Sequence, residues 1–359
     1  MRICYVNTTP TGRNGITGVA FGYIKELSGK PGCVIDYVAI NDADAGYREI
    51  IESAGGRFYV FRRLSRPLSY LFKLKKALTG CDILHIHGNS ATMLLELLAA
   101  RMAHVPVRIS HGHATGCSFK LLDKLCRPLF YRLTTHRLAC GEKAGQWLYG
   151  EQSFSVFRNG LRADGFSFSG SLREEVRKAY GLESGCVLLN IANFDPPKNH
   201  PFLLRVFKKV LETEPDAVLL LAGGGDARAE LEARCRELGL ENNVRFLGSV
   251  SATRPLLCAA DLFLLPSLRE GVPVTVLEAQ CCSLPCFISD AVSPEAVFTD
   301  AVTELPLEEE AWAGAIAGFT PAERAEAPVS IPAGYDISAE AERLYVFYTE
   351  AINRQHPAP

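Results

Sequence analysis

The chain reads as an α/β protein built from two doubly wound domains. Three observations predict this. Its 359 residues favour two domains of about 150–200 residues each over a single core. Short apolar runs alternate with helical patterns from end to end, as parallel strands and their crossover helices do. That alternation stops once, in the Gly-, Ser- and Asp-rich stretch RNGLRADGFSFSGS at 158–171, and then restarts, which marks a linker.

In the first half, RICYV, CVIDYVAI, RFYVF, DILHIH, VPVRISH and HRLAC read as strands. Most are continuous apolar runs, as expected of parallel strands covered on both faces. Helices are predicted near 18–28, 46–54, 67–78, 91–103, 118–133 and 141–149. In the second half, CVLLNIANF, AVLLLAG, VRFLG, LFLLP and PCFIS read as strands, with helices near 199–213, 226–239, 252–258 and 274–282. A Pro- and Ala-rich tail follows Phe319, and a last helix near 337–353 carries Leu344, Phe347 and Ala351 on an apolar side. The predicted domains are therefore 1–165, with the last helix packing back on it, and 166–336. The closing HPAP is expected to fray. Two such sheets joined by a hinge leave a cleft at their strand C-termini, where ligands bind in this architecture.

Composition narrows the function. Apolar residues make up 48%, charged residues 22%, and the net charge is -2, so no global field draws the chain to nucleic acid. The opening MRICYVNTT lacks a signal-peptide pattern. The 12 cysteines are scattered, without a C-x-x-C pair, and read as small buried residues of a reducing cytosol. No run of about 18 apolar residues is present to span a bilayer. One segment departs from the neutral average. FRRLSRPLSYLFKLKKALTG carries Arg62, Arg63, Arg66, Lys73, Lys75 and Lys76 without an acid. It reads either as a solvated amphipathic helix or as a patch at 62–76 for an anionic membrane surface.

The richest chemistry lies in LFLLPSLREGVPVTVLEAQ. A strand ends at Pro266, and a loop carries Glu270 to the turn Gly271, Val272, Pro273. Pro273 suits the first turn of the next helix, where a missing N–H costs nothing. The amides from Gly271 through Val274 then present the positive end of a helix dipole, a fitting site for phosphate. Glu278 lies one turn further on. The plainer reading is a helix-start acid plus a helix-surface glutamate.

HIHGN and SHGHATG form a second cluster. His85 with His87, and His111 with His113, each put two rings on one face of a strand. They read as a metal site, as strand-end caps or as an active-site histidine. In the first loop, NTTPTGRNGITG, Gly15 and Gly18 permit close backbone approach to a phosphate or acceptor, and a plain turn is the alternative.

Glu-Gly-x-Pro with a second glutamate eight positions after the first resembles the E-x7-E motif of retaining glycosyltransferases of the GT-B fold, glycosyltransferase family 4. FDPPKNHPFLLRVF, LLLAGGGDARAELE, NNVRFLGSV and RNGL are similar to further segments of that family. The stretches HIHGNSA, VRISHGHATG and RPLFYRLTTHRLACGEKAGQWLYG resemble members assigned to capsular or exopolysaccharide assembly.

The resemblance implies a GT-B fold of two Rossmann-like domains facing a central cleft, the first binding acceptor and the second a nucleotide sugar. It implies that Glu270 contacts the donor sugar, Glu278 the ribose, and Lys198 with the amides of Gly271, Val272, Pro273 and Val274 the diphosphate. Pro273 lacks an N–H and serves there only as part of the turn. His111, or next to it His113, is the implied active-site histidine. One departure concerns Asn193, which stands where the family usually has an arginine on the diphosphate. An amide brings no charge, and losing a charge-assisted contact costs about 1.5–3 kcal/mol.

The implied reaction moves a sugar from a UDP- or GDP-linked donor to a glycan or polyprenyl-linked acceptor in polysaccharide synthesis, by front-face displacement with retention. No metal or other cofactor is expected. The expected location is cytoplasmic, peripheral at the inner membrane face. Two other readings stay open: a non-transferring GT-B enzyme such as a sugar-nucleotide epimerase, and a donor-binding subunit with weakened catalysis.

Overall fold

The structure is a computed structural model that describes residues 1–355 apart from Arg13, Leu64, Ser118 and Glu183. The predicted frayed end, HPAP, lies outside the described residues. The chain divides into two units: residues 1–161 with the segment from Ala333 onwards, and Arg162–Pro332.

Unit 1 alternates strands β1 (Arg2–Asn7), β2 (Val34–Ala39), β3 (Phe58–Val60), β4 (Ile83–Gly88), β5 (Val107–Gly112), β6 (His136–Ala139) and β7 (Ser155–Val156) with helices. These are α1 (Gly15–Ser28), α2 (Ala45–Ser53), α3 (Pro67–Ala77), α4 (Leu94–Met102), α5 (Lys120–Leu133) and α6 (Glu142–Tyr149). Among the described residues the strands form one seven-stranded sheet in the order β3-β2-β1-β4-β5-β6-β7, with parallel neighbours throughout. β4 is buried along its whole length, His85 and His87 included, as expected of a parallel strand covered on both faces.

Unit 2 repeats the plan with α7 (Gly170–Tyr180), β8 (Val187–Ile191), α8 (His200–Val210), β9 (Val218–Ala222), α9 (Arg228–Glu237), β10 (Val244–Gly248), α10 (Arg254–Ala259), β11 (Leu262–Leu265), α11 (Val274–Cys281), β12 (Cys286–Ser289), β13 (Val302–Leu305) and α12 (Glu309–Ala317). Its described strands form a parallel sheet of six in the order β10-β9-β8-β11-β12-β13. Helix α13 (Ile337–Gln355) belongs to unit 1 and buries Ile337, Ala341, Leu344, Tyr348 and Ala351. In each sheet the strand order reverses once, between β1 and β4 and between β8 and β11, and ligands bind outside the strand C-termini at such points.

Several expectations shift. Helix α1 begins at Gly15 rather than near 18, because the Asn14 side chain accepts from the Thr17 amide at 3.0 Å and caps it. Gly15 and Gly18 therefore lie on a helix and not in the preceding loop. Pro273 sits at the cap with an extended backbone, and α11 starts one residue later, at Val274. β7, β13, α7 and α12 were not foreseen. β13 is a partly exposed edge strand without a continuous apolar run. α7 starts inside the predicted linker, where the Ser169 hydroxyl accepts from the Leu172 amide at 3.3 Å. All 12 cysteines are free thiols, most of them buried.

The basic segment is also corrected. Arg63 is not on offer to a lipid surface: it is buried, and its guanidinium grips Glu96 of α4 at 2.7 and 3.2 Å. Arg62 lies 3.5 Å from Asp42. Arg66, Lys73 and Lys76 remain exposed. No helix among the described residues is long and apolar enough to cross a membrane.

Candidate functional site

In unit 2 the polypeptide beyond β8 runs through Asn193 to a 3-10 turn at Pro196–Lys198. Beyond β11 it runs through Ser267 to Glu270. The two loops are joined where the Leu268 amide donates to the Pro197 carbonyl at 2.8 Å. Lys198 Nζ then forms an ion pair with Glu270 Oε1. Both side chains are only about one-fifth exposed, so water screens the pair incompletely.

The turn after Glu270 is held from below. The Glu270 amide donates to Ala291 at 3.4 Å, and the Ser293 amide donates to the Gly271 carbonyl at 3.3 Å. Gly271, Val272 and Pro273 are buried, while Val274 and Thr275 are part-exposed at the first turn of α11. The first amides of a helix have no partner within the helix and carry its positive end. Asn193 is part-buried on the neighbouring loop. Its surroundings demand a glycine opposite: a Cβ on Gly223 would fall 1.9 Å from the Ala192 carbonyl oxygen.

Glu278, on α11, accepts from the Thr253 hydroxyl at 2.8 Å. Burial of its carboxyl pushes the pKa up to about 7, with the Thr253 hydrogen bond opposing. A group near neutrality that can take hydroxyl donors suits a polyol ligand. Sequence reasoning did not identify Thr253, nor the buried link below Lys198. There His200 Nε2 meets Asn190 Oδ1 at 3.0 Å, and Asn190 Nδ2 donates to the Leu264 carbonyl at 2.8 Å. This ties the start of α8 to β8 and β11. Burial, then the nearby Lys198 charge, lower the His200 pKa to about 4.

In unit 1 the four predicted histidines do come together. β4 and β5 pair with His87 opposite His111, and the period of two brings His85 and His113 to the same face. Ring centroids lie 4.4 Å apart for His85 and His87, and 4.3 Å for His111 and His113. His85 Nδ1 meets the Tyr348 hydroxyl at 2.5 Å, which in turn lies 2.7 Å from the Tyr5 hydroxyl. His85 Nε2 lies 3.2 Å from His111 Nδ1, and His87 Nδ1 lies 2.8 Å from His113 Nε2.

His85, His87 and His111 are fully buried. Their pKa values are driven well down, first by burial and then by neighbouring imidazoles; the Phe157 backbone opposes this at His111. His113 is part-exposed, and burial of its ring lowers its pKa to about 4, opposed by a hydrogen bond to Asn159. Of the two candidate active-site histidines, His111 is thus enclosed and His113 has surface access. His85, His87 and His111 each offer a nitrogen within 4.8 Å of the others. Gly15 and Gly18 are exposed, and a Cβ on either would meet nothing within 4 Å.

Helix α5 carries a further feature. Leu121, Leu122, Leu125 and Leu129 are exposed, at 75, 51, 70 and 41%, while Asp123 and Phe130 face inward. An apolar stripe turned to solvent is unusual for a globular helix. Helices α3 and α5 both pack against α4.

The family described as Glycosyl transferases group 1 matches residues 173–323. A protein assigned as the glycosyltransferase EpsF of Bacillus subtilis (strain 168) is 32% identical over 348 residues, covering 89% of this chain and 90% of its own. The UDP-Gal:alpha-D-GlcNAc-diphosphoundecaprenol alpha-1,3-galactosyltransferase of Escherichia coli is 32% identical over 241 residues, 63% of this chain and 62% of that protein. Among solved structures, Anabaena HepE in complex with UDP and glucose superposes with a TM-score of 0.75 at 18% identity, over 99% of this chain and 98% of that one. WaaG, a glycosyltransferase involved in lipopolysaccharide biosynthesis, superposes with a TM-score of 0.67 at 17% identity, over 99% of this chain and all of that one.

Proposed function

From the premise that this chain belongs to the group 1 glycosyl transferases and has their GT-B fold, we propose that it transfers a sugar from a nucleoside-diphosphate donor to a lipid-linked glycan acceptor in polysaccharide synthesis, with retention of configuration. The observation that carries this reading is the Lys198–Glu270 pair at the switch point of unit 2, beside the start of α11. Relatives and fold neighbours that act on undecaprenol-linked sugar or bind UDP are in keeping with it.

Lys198 has three N–H donors. One can stay on Glu270 while the others reach phosphate oxygens, so the pair accommodates a diphosphate without leaving the carboxylate unpaired. The amides at the start of α11 add a fixed positive field where charge builds on the leaving diphosphate. Glu270 orients the donor sugar, and Glu278 takes the ribose hydroxyls, displacing or sharing the Thr253 contact. In the retaining route the departing phosphate oxygen accepts the acceptor's proton, so no protein nucleophile is required. His113, the part-exposed histidine of its row, lies nearest the acceptor, with Gly15 and Gly18 leaving room for its phosphate.

The acceptor's lipid is drawn to unit 1 by Leu68 and Phe72 of α3 and by the leucine stripe of α5. These are interleaved with exposed Arg66, Lys73, Lys76, Lys120 and Lys124. Apolar side chains amid cations match an anionic bilayer surface.

Incubation with a panel of nucleotide sugars and a polyprenyl-diphosphate-linked acceptor tests the reading. One donor should raise the melting temperature and extend the acceptor by one sugar. If no donor binds, the reading fails. Asn193 favours one second reading, a donor-binding subunit with weak turnover; binding without transfer, repaired by Asn193→Arg, would select it.

A further inference from the structure

Three histidines of unit 1, apart from the His113 placed at the acceptor, have ligand geometry. His85, His87 and His111 are fully buried on adjacent strands, and one nitrogen of each lies within 4.8 Å of the other two. The second nitrogen of two of them is already held: His85 Nδ1 by the Tyr348 hydroxyl and His87 Nδ1 by His113 Nε2. Metal-binding histidines are oriented this way, by a partner on the nitrogen that faces away from the ion. The remaining nitrogens are those left over. His87 Nε2 and His111 Nε2 are buried with no hydrogen-bond partner, and His85 Nε2 faces His111 Nδ1 at 3.2 Å.

That last spacing is informative. Two ligand nitrogens on one tetrahedral ion, each bonded at about 2.0–2.1 Å, lie about 3.3–3.4 Å apart. The His85–His111 pair already has this bite. Without an ion, the two nitrogens must share a single proton between them, and the His87 nitrogen has nothing.

We propose that His85, His87 and His111 bind one divalent transition-metal ion of the imidazole-preferring class, with zinc as the type. The all-nitrogen set disfavours magnesium and calcium, which select oxygen ligands. Closing the site takes a contraction of at most about 1.5 Å in the widest nitrogen pair. Three protein ligands leave a fourth position for water. All three ligands lie within unit 1.

The test uses the full chain, stripped with chelator and titrated with cobalt(II) or zinc(II) alone. Wild type should take up one equivalent, show visible d–d absorption with cobalt(II), and melt at a higher temperature with zinc(II). His87→Ala should abolish the band, and His104→Ala, an exposed histidine of the same unit, should retain it. Tyr348→Phe keeps all three rings and removes only the orienting hydroxyl. It should weaken binding about 10- to 100-fold, so the test survives should His87→Ala fail to fold. Absence of uptake by wild type, uptake that persists in His87→Ala, or unchanged affinity in Tyr348→Phe would overturn the site.

Discussion

Lys198 and Glu270 form an ion pair although 72 positions separate them in the chain. The contact exists because β8 and β11 are neighbours at the point where the sheet order of unit 2 reverses. It makes two loops into one polar floor. Lys198→Ala should therefore weaken nucleotide-sugar binding by about 1.5–3 kcal/mol, the worth of a charge-assisted hydrogen bond, when measured by calorimetry. Glu270→Gln should preserve nucleotide affinity and lower kcat, since its proposed contact is with the sugar. Equal affinity in Lys198→Ala and wild type would remove the lysine from the diphosphate.

Glu278 sets a pH dependence. Its folded pKa, raised to about 7, exceeds its unfolded value, so the native state binds more protons between the two. Stability from this group is greatest at low pH and declines as pH rises through that window. In the proposed complex nucleotide binding runs the other way, because the ribose hydroxyls would donate to the carboxylate. Affinity should rise about tenfold between pH 6 and pH 8. Glu278→Gln should flatten that profile; a profile unchanged by the substitution would exclude Glu278 as its source.

Arg63 and the α5 leucines separate folding from membrane contact. Arg63→Ala leaves Glu96 buried without its cation and should destabilise unit 1 by about 3–5 kcal/mol in denaturant melts. Leu121→Ser and Leu125→Ser alter exposed side chains and should change stability by less than about 0.5 kcal/mol. Each should weaken sedimentation with anionic vesicles about tenfold, as expected when an inserted leucine is lost. Undiminished vesicle binding in the double variant would exclude α5 as the lipid contact.

Local chemistry made much of this legible in the sequence. The parallel strands announced themselves as continuous apolar runs, and Glu270 and Glu278 sat in a stretch whose Gly-Val-Pro turn already implied a helix start, while Lys198 stood out only through the family resemblance. The period of two correctly put His85 with His87, and His111 with His113, on common faces. What stayed hidden depended on register and distance. Thr253 reaches Glu278 from α10, and Tyr348 reaches His85 from a helix 263 positions away. Arg63 reads as one more cation of a basic run until Glu96 is found beneath it. The exposure of the α5 leucines was not legible in a segment read simply as a helix, because an apolar stripe does not say which side of the helix the protein covers. Edge strand β13 lacked the double burial that makes a run continuous.

The central claim is that unit 2 delivers a sugar from a nucleoside diphosphate. The most direct measurement follows nucleoside-diphosphate release and acceptor mass together, in wild type and Lys198→Ala, with each nucleotide sugar and a polyprenyl-diphosphate-linked glycan. For one donor, release should require acceptor, the acceptor should gain the mass of a single sugar, and both signals should fall at least about tenfold in Lys198→Ala. Nucleotide release without acceptor gain for every donor, or full transfer by Lys198→Ala, would contradict it.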